Sequence, residues 1–215
     1  MSSAARRDSP LNAKGRHLTH KTLRLSLVSK FPDDLPPKAE ERLFSEVLGR
    51  ALGNWQHVEG QISSIFSRIL GRTNDSYTAA NIALNTILSF DTKLSMTHAA
   101  VTSLLAESEG ALAEWNPLKN RANRRNDRRN ELAHFGVVFH PNDTPGRRYR
   151  LQPNVWNIRE HQRWKDRSPP SRTLCEIHAV GQSFLKLSMD LRRFYLKWIE
   201  PISSYEELGG RSEND

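Results

Sequence analysis

Hydrophobic positions recur at helical spacing over most of the chain. In residues 38–70, apolar side chains return every three or four positions, as in a helix with one buried face. Similar runs cover residues 80–104, 118–132 and 174–198. We expect the third helix to begin near Asn116 and Pro117, because proline favours the first turn. The pattern predicts a mainly α fold, an antiparallel bundle of four main helices.

Two polar residues interrupt the apolar face of the second predicted helix. Asp91 and His98 are seven positions apart, so they lie two turns apart and do not touch. Because buried polar groups need partners, we interpret each as hydrogen-bonded in the core or at its edge. The alternative is that one of them supports an active site from a neighbouring helix.

Short alternating segments and turn residues lie between the third and fourth predicted helices. Residues 136–140 and 148–151 look extended, and residues 141–146 are rich in Pro, Asn, Asp and Gly. This predicts a small β-hairpin insertion before the last helix. We therefore divide the chain into a basic, flexible N-terminal arm at 1–37, with a short strand near 22–28, and one helical domain at 38–200. The hairpin and a loop containing Trp156 and Trp164 form an insertion at 137–172, and a polar tail follows at 201–215.

The positive charge of the chain is concentrated in three regions. The formal net charge is +8 at pH 7, and the sequence pI is about 9.9. Residues 1–30 hold seven Lys and Arg against one acid, residues 119–129 six against one, and residues 147–172 eight against two. Such clustering favours an anionic partner, although it does not separate RNA, DNA and lipid. A solvated basic surface is the simpler explanation for any one cluster.

Cysteine content and hydropathy favour a cytoplasmic protein. Cys175 is the only cysteine, so no intrachain disulfide can form, and we expect it to pack as a small hydrophobe on the core side of the last helix. No apolar run is long enough to cross a bilayer, and the N-terminus lacks the apolar segment of a secretory signal. We expect no membrane association. The histidines show no metal-ligand spacing, so we predict no metal and no cofactor.

The third predicted helix ends in Arg129-Asn130-Glu131-Leu132-Ala133-His134. An arginine can hold phosphate oxygens through a planar fork of donors, and a histidine can transfer a proton near neutral pH. Along an ideal helix, however, Arg129 and His134 lie roughly 140° apart around the axis, whereas Asn130 and His134 share a face. Fraying near Gly136, the reach of the long side chains or a second protomer would have to bring both groups together. A two-fold axis beside the helix end would do so, with one set from each protomer. The local alternatives are that Arg129 pairs with a carboxylate such as Asp91 or Glu131, and that His134 caps the helix C-terminus.

The arginine, the polar residue and the histidine at this spacing resemble the motif of HEPN-domain proteins, and residues 38–200 resemble the helical bundle of that family. The resemblance implies a metal-independent endoribonuclease, often a toxin of a toxin–antitoxin pair or an antiphage defence protein, that acts as a homodimer. It assigns catalysis to Arg129 and His134, with Asn130 as support. It also implies RNA as substrate and an antitoxin such as a nucleotidyltransferase-type protein as partner.

We expect the basic residues that precede this motif to guide the RNA strand. The predicted RNA-binding residues are Arg121, Arg124, Arg125 and Arg128. Cleavage would use the 2′-hydroxyl of RNA and leave a 2′,3′-cyclic phosphate and a 5′-hydroxyl. Two alternatives stay open. One is a non-catalytic HEPN-like module that binds RNA or a partner protein, and the other is a helical structural protein whose apolar faces serve an oligomer.

Overall fold

The computed structural model describes residues 35–71, 73–154 and 170–201. It has five α-helices and one antiparallel pair of strands in these ranges. Most of the predicted basic arm, the short strand near 22–28, Trp156 and Trp164, and nearly all of the predicted tail lie outside the described residues. The prediction of a mainly α protein with a small hairpin is confirmed, whereas the bundle of four antiparallel helices is not. None of the described helices is long and apolar enough to span a membrane.

Helix α1, Pro37–Leu70, forms the centre of the core. It begins with proline at its first position, where the absent N–H costs nothing, and it ends at Gly71. Its buried side chains follow the predicted apolar face. They are Phe44, Val47, Ala51, Trp55, Val58, Ile62, Ile65 and Phe66. This face packs against α2, α3 and α5, so the long helix organises the other elements.

The second predicted helix is two helices, α2 (Asn74–Asn85) and α3 (Phe90–Leu104). Thr73 caps α2 through a reciprocal pair of hydrogen bonds with Ser76, and the Ser89 side chain accepts from the amide of Thr92 at the start of α3. The prediction of one continuous helix was wrong because the four connecting residues, 86–89, span about one helical turn. The apolar positions therefore stay in phase across the break.

Helix α4, Glu109–His134, begins seven residues before the predicted start. Pro117 lies inside it and not at its first turn, although an internal proline removes one backbone hydrogen bond. The buried residues Ala111 and Trp115 precede the proline, so the apolar face that drives helix formation extends on both sides of it. Packing of this face therefore outweighs the local cost of the proline.

The predicted hairpin is present and is joined to the helical core at three points. Strand β1, Gly136–Phe139, pairs antiparallel with β2, Tyr149–Gln152. The amide of Arg148 donates to the buried carboxylate of Glu40 on α1, at 3.0 Å. The Arg148 side chain donates to the carbonyl oxygen of Leu35, also at 3.0 Å, and Leu151 forms a β-bridge with Arg172. These contacts fix the position of the hairpin directly after the motif helix.

Helix α5, Leu174–Phe194, continues into a π-helical turn, Tyr195–Ile199. It crosses α1 closely at Gly181, where a Cβ atom would lie 3.0 Å from the Cα and Cβ atoms of Ala51. The Asn54 side chain donates to the carbonyl oxygen of Gly181 at 3.0 Å. Cys175 is exposed, so the prediction that it lies on the core side of this helix was wrong. It follows the buried Leu174 and therefore points away from the apolar face.

Candidate functional site

Polar contacts along α4 and α5 form a seam that runs the length of both helices. Arg121 contacts Asp190 at 2.5 Å, and the Nε of Arg125 donates to the Ser183 hydroxyl at 3.1 Å. Nearer the end of α4, Glu131 binds Arg172, just before the start of α5. As the residue number rises along α4, the number of the partner residue falls from 190 to 183 to 172. The two helices are therefore antiparallel. The motif lies at the end of this seam that adjoins the hairpin.

Several half-buried arginines of the described chain are paired with carboxylates. These pairs are Arg50–Glu46, Arg121–Asp190, Arg148–Glu40, Arg150–Asp143 and Arg172–Glu131. Arg125 and Arg129, four positions apart on one face of α4, contact no carboxylate among the described residues. Arg125 contacts a hydroxyl, and the Nη1 of Arg129 donates to the Oδ1 of Asn130 at 3.1 Å. Neither of these two neighbouring guanidinium groups therefore forms an ion pair within the described residues.

Burial and nearby positive charges act together on Arg125. Burial lowers the pKa of Arg125, and the charges of Arg121 and Arg124 lower it further, while Asp190 acts in the opposite direction. An arginine in such surroundings is stabilised by any anion that approaches it. Arg125 and Arg129 are both half-buried. The Arg125 guanidinium lies at the seam, where it contacts Ser183 of α5.

Glu131 contacts two arginines, one of which is Arg128 of the predicted RNA-binding set. The Arg128 side chain donates to Oε1 of Glu131 at 2.7 Å, and the Nε and Nη2 atoms of Arg172 donate to Oε2 at 2.9 and 2.7 Å. The sequence gives Glu131 no catalytic role and offers it only as a possible partner of Arg129. Its position within an arginine-rich stretch was the available signal, but Arg172 lies 41 positions away. The Glu131 carboxylate therefore binds Arg128 on α4 and Arg172 before α5, and so joins the last turn of α4 to the segment that precedes α5.

His134 is the final residue of α4 and is exposed. It lies at the helix C-terminus, which is the position that the capping interpretation assigned to it. Arg129 contacts its neighbour Asn130, and neither Asp91 nor Glu131 binds it. Within the described residues, no contact joins His134 to Arg129 or to Asn130. In one protomer, the predicted catalytic residues therefore lie close together along the helix, but His134 contacts neither of the other two.

The two polar residues on α3 have structural partners. The Trp115 indole donates to Nδ1 of His98 at 3.0 Å, and the Asn126 side chain donates to Asp91 at 2.9 Å. Burial lowers the pKa of His98, and the charge of Lys119 adds to this effect. A neutral imidazole with Nδ1 as acceptor fits the hydrogen bond from Trp115. Both contacts agree with our interpretation that these residues have partners in the core or at its edge.

A groove of about 480 Å³ lies at the other end of the seam, away from the motif. Pro117, Leu118 and Arg121 line it from α4, and Asp190, Arg193 and Phe194 line it from α5. Sequence analysis did not identify this groove. Asp190 and Arg193 lie beside the apolar face of α5. They reach α4 only because the two helices pack antiparallel, which the sequence pattern alone does not show.

Metal-binding side chains do not gather in the described part of the chain. No group of three or more His, Cys, Asp or Glu residues there could hold a metal ion. Comparison of the chain with protein-family models, curated proteins and solved structures found no match. These comparisons neither support nor contradict the resemblance to HEPN proteins.

Proposed function

We propose that this protein binds RNA along the arginine face of α4 and cleaves it with Arg129 and His134, as HEPN-type endoribonucleases do. The observation that carries the proposal is the pair of guanidinium groups, Arg125 and Arg129, that contact no carboxylate in the described part of the chain. Arginines without a counter-charge attract phosphates, and they bind them through two parallel hydrogen bonds. Arg121 and Arg124 add positive charge to the same helix, which extends the attraction along the strand.

A homodimer would complete the reaction centre. The exposed His134 lies two positions before β1, in which Val137 is 53% exposed, Val138 38% and Phe139 44%. An exposed strand with large apolar side chains is a suitable surface for a second copy of the chain. Association about a two-fold axis beside this strand would face the two copies of the motif towards one cleft.

The proposed reaction needs one proton acceptor, one proton donor and a cation near the phosphorus. One His134 imidazole takes the proton of the 2′-hydroxyl, and the 2′-oxygen forms a bond to phosphorus. The bond from phosphorus to the 5′-oxygen breaks, and that oxygen receives a proton from the second His134 of the dimer. Arg129 stabilises the negative charge on the phosphorane oxygens, and Asn130 holds the Arg129 guanidinium. The products are a 2′,3′-cyclic phosphate and a 5′-hydroxyl.

The test is cleavage of a labelled RNA by the full chain in buffer containing EDTA. We expect products with cyclic-phosphate ends, and we expect no cleavage of the same strand with a 2′-deoxyribose at the cut site. Arg129→Ala and His134→Ala should each lower the rate at least about a hundredfold, as the removal of one catalytic group does. Arg42→Ala and His57→Ala change exposed residues of the same types on α1 and should leave the rate unchanged. Equal rates in all four variants would refute the assignment.

A non-catalytic RNA-binding module is the second candidate. It is favoured by the absence of any contact between His134 and Arg129 within the described residues of one protomer. This candidate predicts RNA binding that weakens steeply with salt and no product at any protein concentration. In that case Arg125→Ala and Arg129→Ala should lower the affinity, whereas His134→Ala should not.

Regulation and cellular role are further parts of the proposal. A basic ribonuclease needs control in a cytoplasm rich in RNA, which suits a toxin or defence protein paired with an antitoxin such as a nucleotidyltransferase-type protein. Co-expression with a candidate antitoxin should restore the growth of cells that the protein alone inhibits. Equal inhibition by the His134→Ala variant would exclude cleavage as its cause.

A further inference from the structure

The groove at the far end of the seam is continuous with the arginine face of α4. Arg121 belongs to both, because it lines the groove and lies four positions before Arg125. Arg121, Arg125 and Arg129 follow one another every four residues, a rise of about 6 Å for each step. The groove therefore begins about 12 Å along the helix axis from Arg129. An extended strand held at Arg129 would cover this distance within a few nucleotides.

The charges of the groove favour an anion. Asp190 contacts both Arg121 and Arg193, so one carboxylate faces two guanidinium groups. Lys197 is paired with Glu114, whose pKa is lowered by hydrogen bonds from Lys197 and Trp198. The three cations and two carboxylates leave one positive charge in excess. The Arg193 side chain is 73% exposed, so it can turn towards a ligand while Asp190 stays paired with Arg121.

The shape of the groove suits a nucleotide. Its volume is within the usual range for small-ligand sites, and Pro117, Leu118 and Phe194 give it an apolar side. Both helices are irregular here, because α4 contains Pro117 and α5 widens into the π-helical turn that carries Lys197. Single π-helical turns within α-helices are frequent at functional sites. The buried Nε of Arg121 also has no hydrogen-bond acceptor among the described residues.

We propose that the groove between Pro117 and Arg193 binds a nucleotide of the RNA strand, a few positions from the phosphate held at Arg129. The inference rests on the proposed function for the identity of the ligand. Arg193 contacts the phosphate, and the ring of the base lies against Pro117. Single-stranded RNA is thus held at two places, the motif and the groove, with Arg125 between them.

Two RNA lengths and two adjacent arginines test this inference. The probes are an oligouridine octamer and a trimer, both 2′-O-methylated so that they cannot be cleaved, with binding followed by fluorescence anisotropy. Arg193→Gln should weaken octamer binding about tenfold, the value of one charge-assisted hydrogen bond, and should weaken trimer binding less, because a trimer can still bind at Arg129 alone. Arg192→Gln is the matched control, since it removes the same charge from the preceding residue of α5, which is exposed and does not line the groove. Equal weakening by both variants, or none by Arg193→Gln, would overturn the inference.

A second probe separates failure of the groove from failure of the proposed function. Uridine 5′-monophosphate should bind the wild-type protein in a calorimetric titration, and Arg193→Gln should remove this binding while Arg129→Ala keeps it. If the octamer fails to bind but the mononucleotide binds in this way, the proposed function is refuted and the groove site stands. If the octamer binds and depends on Arg129 alone, the proposed function stands and the groove site is refuted.

Discussion

The carboxylate of Glu131 accepts two hydrogen bonds from Arg172, at 2.7 and 2.9 Å. Arg172 also forms a β-bridge with Leu151, so one arginine joins the last turn of α4 to the second strand of the hairpin. This contact keeps the motif helix and the hairpin in one position relative to each other. It lies directly beside the residues that we propose for catalysis, so its loss should affect the stability of this end of α4.

Glu131→Ala should lower the free energy of unfolding by about 1–3 kcal/mol, because it removes the nearer carboxylate of the half-buried Arg172 and leaves only Glu176, at 3.9 Å. Urea unfolding followed by circular dichroism measures this. Arg128→Ala is the control, since its side chain is 49% exposed and such pairs contribute less than about 1 kcal/mol. A double variant, Glu131→Ala with Arg172→Ala, should lose less than the sum of the single changes. Strict additivity would show that the pair does not couple α4 to Arg172.

Stability should fall below neutral pH through His98. Its pKa is lowered in the folded protein from the ordinary value of 6.5, so the unfolded chain takes up the proton first as the pH falls. The loss begins below pH 6.5 and is complete once the pH is below the folded pKa. Urea unfolding at several pH values between 5 and 8 should show this decline. The His98→Gln variant should show a shallower decline, and an unchanged slope would exclude His98 as its source.

Gly181→Ala should destabilise the protein by about 1–3 kcal/mol, because the added methyl group would lie 3.0 Å from atoms of Ala51 on α1. Thermal unfolding measures the effect. Gly60→Ala in α1 is a matched control, since nothing lies within 4 Å of the added atom. It should raise the stability by about 0.5–1 kcal/mol through helix propensity. A stabilising effect at both positions would show that α1 and α5 are not in close contact.

Val137→Asp should convert the proposed homodimer into monomers without unfolding them. A charge placed among the exposed apolar side chains of β1 would oppose burial in an interface. Sedimentation velocity and circular dichroism measure association and folding separately. Ile82→Asp on α2 is the control, because Ile82 is 61% exposed and distant in sequence from the motif. A dimer that survives Val137→Asp, or dissociates equally with Ile82→Asp, would place the interface elsewhere.

The sequence determined the elements whose signal is local. The spacing of apolar residues predicted the extent of α1 and α5 closely, and the composition of the turn predicted the hairpin. Both signals are local, because the helix and strand periods depend on neighbouring positions. It also placed Arg129 and His134 on the last turns of one helix. It missed the break between α2 and α3, where the apolar phase continues, and the start of α4, where packing outweighs Pro117.

Only the tertiary structure decided which arginines have a counter-charge. Arg121 meets Asp190 across 69 positions, Arg172 meets Glu131 across 41, and the amide of Arg148 meets Glu40 across 108. Arg125 and Arg129 belong to the same basic stretch as Arg121 and Arg128, and nothing in their local sequence distinguishes them. The difference arises because an ion pair depends on which side chains helix packing brings within a few ångströms, and that packing is set by the apolar faces of the whole chain.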